Sequence, residues 1–389
     1  MKRAILFALV GLAISSSGLA GQSLFGTQGL GLPAEPLDGR ARALGSMGVG
    51  LLGPSLSPLD IAAAARIYLP TAQLTLQPQW IDGELNGQSL TTKGTRFPQM
   101  SLAYPLLGVG GTAVLHIGTN FDQRWEVETS SDEEVLGSVV PVTDRLASDG
   151  GISTFQLGWA QRLGDRLSLG VGVGSRIGSV TRTFTRIVDA GDLATIIPYV
   201  TSGEWRYSGL TASLGFQWDP LPQLRLGGSA AWSGTLEAEP RGETEGSSTD
   251  FDVPTEFRLG ASGILTPRLA LHVGFSFADW QDPEGSLDPG TLVGSVKSFG
   301  IGMEWACPTV GPRNFPIRLG MKRSDLPFTF EGETPSENVF TGGIGLNLMP
   351  PQSGLIGAID LAFERGTREA ASLSESFWRA SVTFRVGSF

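Results

Sequence analysis

The sequence predicts an all-β fold: a transmembrane antiparallel β-barrel of about fourteen strands preceded by an N-terminal plug segment. Three observations lead there. Past the first twenty residues, no apolar run reaches the length of a membrane-spanning helix, roughly eighteen residues or more. From Thr71 onward, apolar residues recur at every second position, the period of a strand with one face in lipid and the other in a lumen. The links between these stretches alternate between short and long, as the two rims of such a barrel require.

Composition agrees. The 389 residues include 54 glycines, only 17% are charged, and mean hydropathy is near zero. That combination suits strands that need apolar residues on one face only. Cys307 is the one cysteine, so no intramolecular disulfide and no Cys/His metal site is expected. A net charge of -10 argues against nucleic-acid binding, which needs a basic face.

Residues 1–20 read as a cleaved signal peptide. Lys2 and Arg3 precede an apolar core from Ala4 to Ile14, and Gly18 and Ala20 provide small residues before the cut. Residues 21–70 do not alternate and contain one short helix candidate, Leu59 to Arg66. Residues 71–389 form the barrel.

The expected strands are Thr71–Ile81, Arg96–Tyr104, Gly111–Val127, Ile152–Leu163, Leu167–Ile187, Tyr199–Trp218 and Gln223–Leu236. They continue with Val253–Leu265, Arg268–Trp280, Val296–Trp305, Phe315–Arg323, Val339–Leu348, Leu355–Glu364 and Phe377–Phe389. The alternation is plain in Leu269, Leu271, Val273, Phe275 and Phe277 against Ala270, His272, Gly274 and Ser276. Short links include Gly164–Arg166 and Thr266–Pro267. Long polar links include Asp82–Thr95, Glu128–Gly151 and Arg365–Ser376. An even strand count puts both termini at the short-link rim, which is the periplasmic rim in outer-membrane barrels. Trp80, Trp125, Trp232, Trp280 and Trp378 lie near long-link ends and Trp159, Trp218 and Trp305 near short-link ends, as two interfacial girdles would have them. Phe389 falls on the opposite parity to Val382, Phe384 and Val386, which calls for a bulge near Gly387 or a residue outside the ladder.

Parity assigns Arg162, Arg176, Arg225, Arg258, Arg318, Lys322, Arg379 and Arg385 to the lumen, together with Glu256, Glu304, Asp360, Glu364 and both histidines, His116 and His272. A lipid-facing Arg or Lys at the midplane would cost roughly 2–4 kcal/mol, which enforces the assignment. These charges read either as packing inside a filled barrel or as a polar path beside a plug. Gly170, Gly172, Gly174, Gly178, Gly215, Gly260, Gly274, Gly300, Gly302, Gly343 and Gly345 share the lumen face, and their missing side chains leave room for an inserted segment or let strands bend. The acidic stretches Ser131–Glu134 and Glu237–Glu245 read as solvated loop surface or as sites for a divalent cation bridging lipopolysaccharide. No catalytic constellation, metal site or cofactor is expected: neither histidine has a serine partner on the lipid face, and the GxG pattern at Gly170–Gly174 lies within a strand.

The segment Ala41-Arg42-Ala43-Leu44-Gly45-Ser46-Met47-Gly48-Val49-Gly50 resembles the N-terminal signature of the FadL-like outer-membrane proteins, which include channels for fatty acids and aromatic hydrocarbons and the PorV-type secretion proteins. Phe257-Arg258-Leu259-Gly260, Thr266-Pro267-Arg268-Leu269 and Phe277-Ala278-Asp279-Trp280 look like that family's hairpin. Where the family commonly has Asn-Pro-Ala, this chain has Ser57-Pro58-Leu59-Asp60, the mark of a divergent member. The resemblance implies a bacterial outer-membrane location and an N-terminal hatch, with a kinked strand opening a lateral exit. Leu44, Met47, Leu51, Leu52, Leu56 and Leu59 then either line the ligand site or form the core of the hatch. Ile196, Ile197 and Tyr199 would capture ligand outside. Two functions follow from the resemblance: passive uptake of small hydrophobic compounds, or a non-transporting scaffold for a secretion or envelope partner. Outer-membrane lipid and lipopolysaccharide are expected neighbours in either case. Mass spectrometry of protein purified from membranes is expected to show a mature chain starting at Gly21; an intact Met1 would remove the export signal from the argument.

Overall fold

A computed structural model describes residues 23–85, 87–106, 108–135, 138–189, 197–280, 294–306, 315–348 and 355–388. The signal segment, Ile196, Cys307 and Phe389 lie outside the described residues. Fourteen strands form one closed antiparallel ring: β1 Thr71–Leu85, β2 Gln88–Leu106, β3 Gly111–Asp122, β4 Ser138–Leu163, β5 Leu167–Val188, β6 Tyr199–Leu221, β7 Leu224–Ser233, β8 Glu256–Thr266, β9 Leu269–Asp279, β10 Ser295–Ala306, β11 Pro316–Asp325, β12 Ser336–Asn347, β13 Leu355–Ala370 and β14 Leu373–Ser388. Each pairs with the next, and β14 returns to β1 through pairs such as Trp378↔Trp80 and Arg385↔Gln73. Closure pairs the strands along most of their length, as a bilayer that penalises every free N–H and C=O requires; β2 and β3 part only above Gln99↔Gly118.

The side-chain period sorts the two faces. On β6, Leu210, Leu214, Phe216 and Trp218 point out and are exposed, while Thr211 and Gln217 are buried. On β1, Gln73, Thr75, Gln77 and Gln79 are buried and Trp80 is exposed. Burial is therefore inverted relative to a soluble protein, with apolar residues outside and polar residues inside.

Every expected strand is present, but three expected long loops are largely strand. Asp82–Thr95 is a hairpin whose pairing runs on to Leu85↔Gln88. In Glu128–Gly151, Trp125–Val135 prolongs β3 and pairs with β4 out to Val135↔Ser138. Arg365–Ser376 stays paired to Ala370↔Leu373. Beyond the bilayer both faces meet water, so the apolar alternation vanishes while the backbone ladder continues. Leu236–Arg241 similarly extends β7 along β6. Two tryptophans leave the expected girdle: Trp125 and Trp280 point inward and are buried, whereas Trp80, Trp232 and Trp378 remain exposed. Trp280 follows from parity, since it shares the inward face of Ala278; Trp125 follows a register shift between Thr119 and Phe121. The β13–β14 ladder runs unshifted through Gly387 to Ser388, so no bulge occurs there.

Residues 23–70 lie against the inward faces of the strands. A short helix, α1 Gly39–Ala43, is capped by Asp38, whose carboxylate accepts from Ala41 N at 2.8 Å. The expected Leu59–Arg66 helix is a 3-10 helix, Ile61–Arg66, capped by Asp60. Between them the chain runs around the ring over a girdle of glycines. A Cβ on Gly320 would lie 2.5 Å from the Leu44 carbonyl carbon, one on Gly227 would lie 2.6 Å from Gly50 Cα, and one on Gly170 would lie 2.5 Å from Ala62 N. On Gly260, Gly300 and Gly302 it would collide with the carbonyl oxygens of Val49, Gly45 and Leu44. Backbone lies on backbone here, which only glycine allows. Gly260→Ala is expected to destabilise the folded barrel by about 1–3 kcal/mol through overpacking. Gly263→Ala on the same strand, where the nearest atom is 4.0 Å away, should change stability by less than about 0.5 kcal/mol. Urea titrations of both variants in one detergent check this, and equal effects would remove steric contact with the segment as the cause.

Candidate functional site

Most inward charges on the strands are paired with one another and with residues 23–70. Arg318 bridges Glu304 and Asp360, each at 2.6 Å, and Glu304 also holds Arg40 at 3.0 Å. Arg258 pairs with Glu256 at 2.6 Å and with Glu35 at 3.4 Å, and donates to the Met47 carbonyl. Lys322 also pairs with Glu35. Glu364 receives Arg42 at 3.4 Å and Arg379 at 3.6 Å. Arg385 meets Asp38 at 3.2 Å, and Arg225 meets Asp219 at 2.8 Å and the carbonyls of Leu51 and Gly53. Arg162 sits at the short-link rim against Tyr68. Buried charges of this kind are tolerable only when each has its partner. Near the other rim, Arg368, almost fully buried, joins Glu337 and Glu375, and Glu375 accepts from Ser23 Oγ and Leu24 N. The segment is thus tied to the wall from Ser23 onward.

Two carboxyls on the segment show how it is held. Burial would raise the Glu35 pKa, but Lys322 and Arg258 outweigh it and bring the group down to about 2. Asp60 has no cation in contact. Burial pushes it up to about 6 against the opposing hydrogen bonds from Gln217 Nε2 at 2.8 Å, Gly50 N at 3.1 Å and Ala63 N. Asp60 therefore links the 3-10 helix, the glycine-rich strand-facing stretch and β6.

The rest of the lumen is apolar toward the long-link rim. Phe121, Ile152, Val180, Tyr207, Leu236, Val253, Trp280 and Phe328 form one buried cluster with Leu30. Trp280 meets Phe121 edge-on at 6.0 Å and Phe328 at 5.3 Å. Beside it lies a cavity of about 140 Å³ whose lining includes Phe121, Trp280, Val253 and Leu59 on one side and Glu35, Arg258, Lys322 and Arg96 on another. Pro36, Leu59, Asn120, Arg176, Glu256 and Arg258 are shared with a second, deeper cavity that reaches Gly118 and His116. Arg176 lines both, and its Nε lacks a hydrogen-bond partner.

These cavities end at a break in the wall. β2 and β3 pair only from Leu106↔Gly111 up to Gln99↔Gly118. Above that point β2 stays with β1 as far as Gln88 and β3 stays with β4, while Leu32 and Pro33 take Asp122 and Phe121 as partners. Side chains close the seam: Thr119 donates to the Phe97 carbonyl at 3.1 Å, Arg124 to the Thr95 carbonyl at 3.1 Å, and Arg96 pairs with Asp122 at 2.6 Å.

Of the six apolar residues proposed on the segment, Leu44, Met47, Leu51 and Leu56 are buried, with Leu44 and Leu51 packed on Leu37 and Leu56 on Ile61. Leu52 lies at the short-link rim beside Arg40. Leu59 alone of the six lines both cavities. Ile197 and Tyr199 are exposed on the extension of β6. Both histidines lie inward against buried serines: His116 Nδ1 lies 2.7 Å from Ser101 Oγ and His272 Nδ1 2.8 Å from Ser262 Oγ. Ser262 also donates to the Gly50 carbonyl, and both Nε2 atoms lack the carboxylate that would orient a catalytic base. The aromatic cluster and the partners Glu35, Asp38, Arg40 and Arg42 escaped sequence reasoning. The even parity of Trp280 could have revealed the first; no periodicity exists in residues 23–70 to reveal the second.

Asp60 makes a testable statement about pH. A carboxyl whose pKa is about 6 when folded and near 3.8 when unfolded contributes its full stability below the lower value, loses it as pH rises between the two, and adds no further pH dependence above pH 6. Amide exchange at Gly50 and Ala63 is expected to show less local protection at pH 7 than at pH 4, once corrected for intrinsic rates. Asp60→Asn should flatten that profile, and an unchanged slope in the variant would remove Asp60 as its source.

Solved structures similar to this chain include the toluene transporter TbuX of Ralstonia pickettii, at 16% identity over 92% of this chain and 99% of that one with a TM-score of 0.60. A FadL homologue of Pseudomonas aeruginosa matches at 13% identity over 91% and 98%, TM-score 0.60. The toluene transporter TodX of Pseudomonas putida matches at 13% over 92% and 99%, TM-score 0.58. At these identities the likeness is one of fold. No protein-family model matches the sequence, and no curated protein matches it.

Proposed function

We propose that the chain is an outer-membrane channel for passive uptake of small hydrophobic compounds, with residues 21–70 acting as its hatch and both termini in the periplasm. The observation that carries this reading is the pair of adjacent cavities, one lined in part by Phe121 and Trp280, beside a seam closed by side chains instead of backbone pairing. A hydrophobic compound captured on Ile197, Tyr199 and the inward aromatics of the extended strands would meet Tyr207, Trp280 and Phe121 in turn. It would leave sideways between β2 and β3 when Thr119, Arg124 and Arg96 release their contacts. Breaking side-chain contacts costs less than opening a ladder of backbone hydrogen bonds inside a bilayer. The net movement follows the concentration gradient and requires no energy source. Channels named for toluene share this fold, which supports the same class of cargo here.

The test uses the whole chain in vesicles whose outer leaflet is lipopolysaccharide. Uptake of toluene and of a medium-chain fatty acid is expected to exceed that of protein-free vesicles. Asn120→Trp, which fills the junction of the cavities, should lower it several-fold without loss of the folded barrel. Rates equal to protein-free vesicles would overturn the channel reading and favour a non-transporting scaffold.

A further inference from the structure

The outward face carries a charge pattern that uptake does not use. On each strand the apolar outward stripe stops toward the long-link rim, and the next outward residue is the first polar one. On β10 to β13 these first polar residues are Lys297, Arg323, Asn338 and Arg365, following Phe299, Met321, Phe340 and Phe363, all four exposed. The row holds three cations and no carboxylate, in a chain of net charge -10. The pattern ends on either side, with Asp279 on β9 and Ser376 on β14.

Register brings the row together. Arg323 stands opposite both Phe299 and Asn338, and Arg365 opposite Phe340 and Trp378. Arg323 and Arg365 are two strands apart and staggered by two residues, about 12 Å between Cα atoms at the spacing of paired strands. The Arg365 guanidinium lies over the Trp378 ring at 5.1 Å, with its Nη1 buried there and without a hydrogen-bond partner. Neither Lys297 nor Arg323 has an ion-pair partner among the described residues, whereas inward Arg258, Arg318, Lys322 and Arg379 are all paired. The nearest outward-facing carboxylates on β11 and β13, Asp325 and Glu369, stand two and four residues nearer the rim.

We propose that this face is a binding surface for a phosphorylated glycolipid of the outer leaflet, of the lipid A type. The assignment rests on the orientation proposed above, with the long-link rim outside. The acyl chains lie along Phe299, Met321, Phe340 and Phe363. The phosphates sit at the level of Lys297, Arg323 and Arg365, whose charges have no ion-pair partner among the described residues, and the arginine fork matches phosphate oxygens in pairs. Asn338 donates between them to a sugar hydroxyl.

Native mass spectrometry of the full chain in detergent, with lipid A, dephosphorylated lipid A, phosphatidylglycerol or inorganic phosphate added, tests the surface. Lipid A is expected to remain bound in preference to its dephosphorylated form and to phosphatidylglycerol, and equimolar inorganic phosphate should not displace it. The Lys297→Gln/Arg323→Gln/Arg365→Gln variant should bind roughly tenfold more weakly. Arg323→Lys/Arg365→Lys should keep most of the affinity, and Lys93→Gln, a cation on β2 outside the row, should change nothing. Equal retention of lipid A and its dephosphorylated form, or by wild type and triple variant, would overturn the proposal, as would displacement by free phosphate. If the triple variant does not fold, the headgroup comparison on the wild type decides alone. Lipid retention is read without uptake, so a failed channel assay leaves this result independent.

Discussion

Everything in this molecule follows from one constraint: in hydrocarbon, each backbone N–H and C=O must find its partner within the protein. Fourteen strands meet it by closing on themselves, with β14 returning to β1. Closure fixes two surfaces of opposite chemistry. The outer one must be apolar across the bilayer, so every charged or strongly polar side chain at that depth must turn inward. The lumen therefore inherits more charge than a soluble core would accept, and that charge has to be neutralised locally.

Residues 23–70 supply much of that neutralisation. Glu35, Asp38, Arg40 and Arg42 complete ion pairs that the wall alone leaves unfinished, and glycines on eight or so strands let the segment approach backbone to backbone. Both effects bind the segment tightly where it follows the wall. Near the long-link rim it does something else: Leu32 and Pro33 occupy pairing positions on β3 that β2 has vacated. A strand edge in a membrane protein is expensive, and here it is covered by a two-residue pairing and a few side chains. The weak point lies beside the cavity lined by Phe121 and Trp280.

The contrast between inner and outer cations sharpens the picture. Inside, Arg258, Arg318 and Arg379 are clamped by carboxylates and act as mortar. Outside, Lys297, Arg323 and Arg365 have no ion-pair partner among the described residues. The same residue types serve opposite ends because burial decides whether an unpaired charge is tolerable.

The sequence by itself determined the strands, their count and the face to which each residue belongs, because a two-residue period and the cost of a charge in lipid leave little choice. His272, Arg318 and Gly260 could be placed inward from parity alone. It did not determine where strands end above the bilayer, since the apolar signal stops when both faces are wet; hence Asp82–Thr95 and Arg365–Ser376 read as loops. Nor could it show which wall residue meets which residue of the segment, because a non-repeating chain carries no period to read. The pairing of Glu35 with Lys322, the approach of Gly50 to Gly227 and the open seam above Gln99 and Gly118 are contacts between residues far apart in the chain, and only the closed ring brought them together.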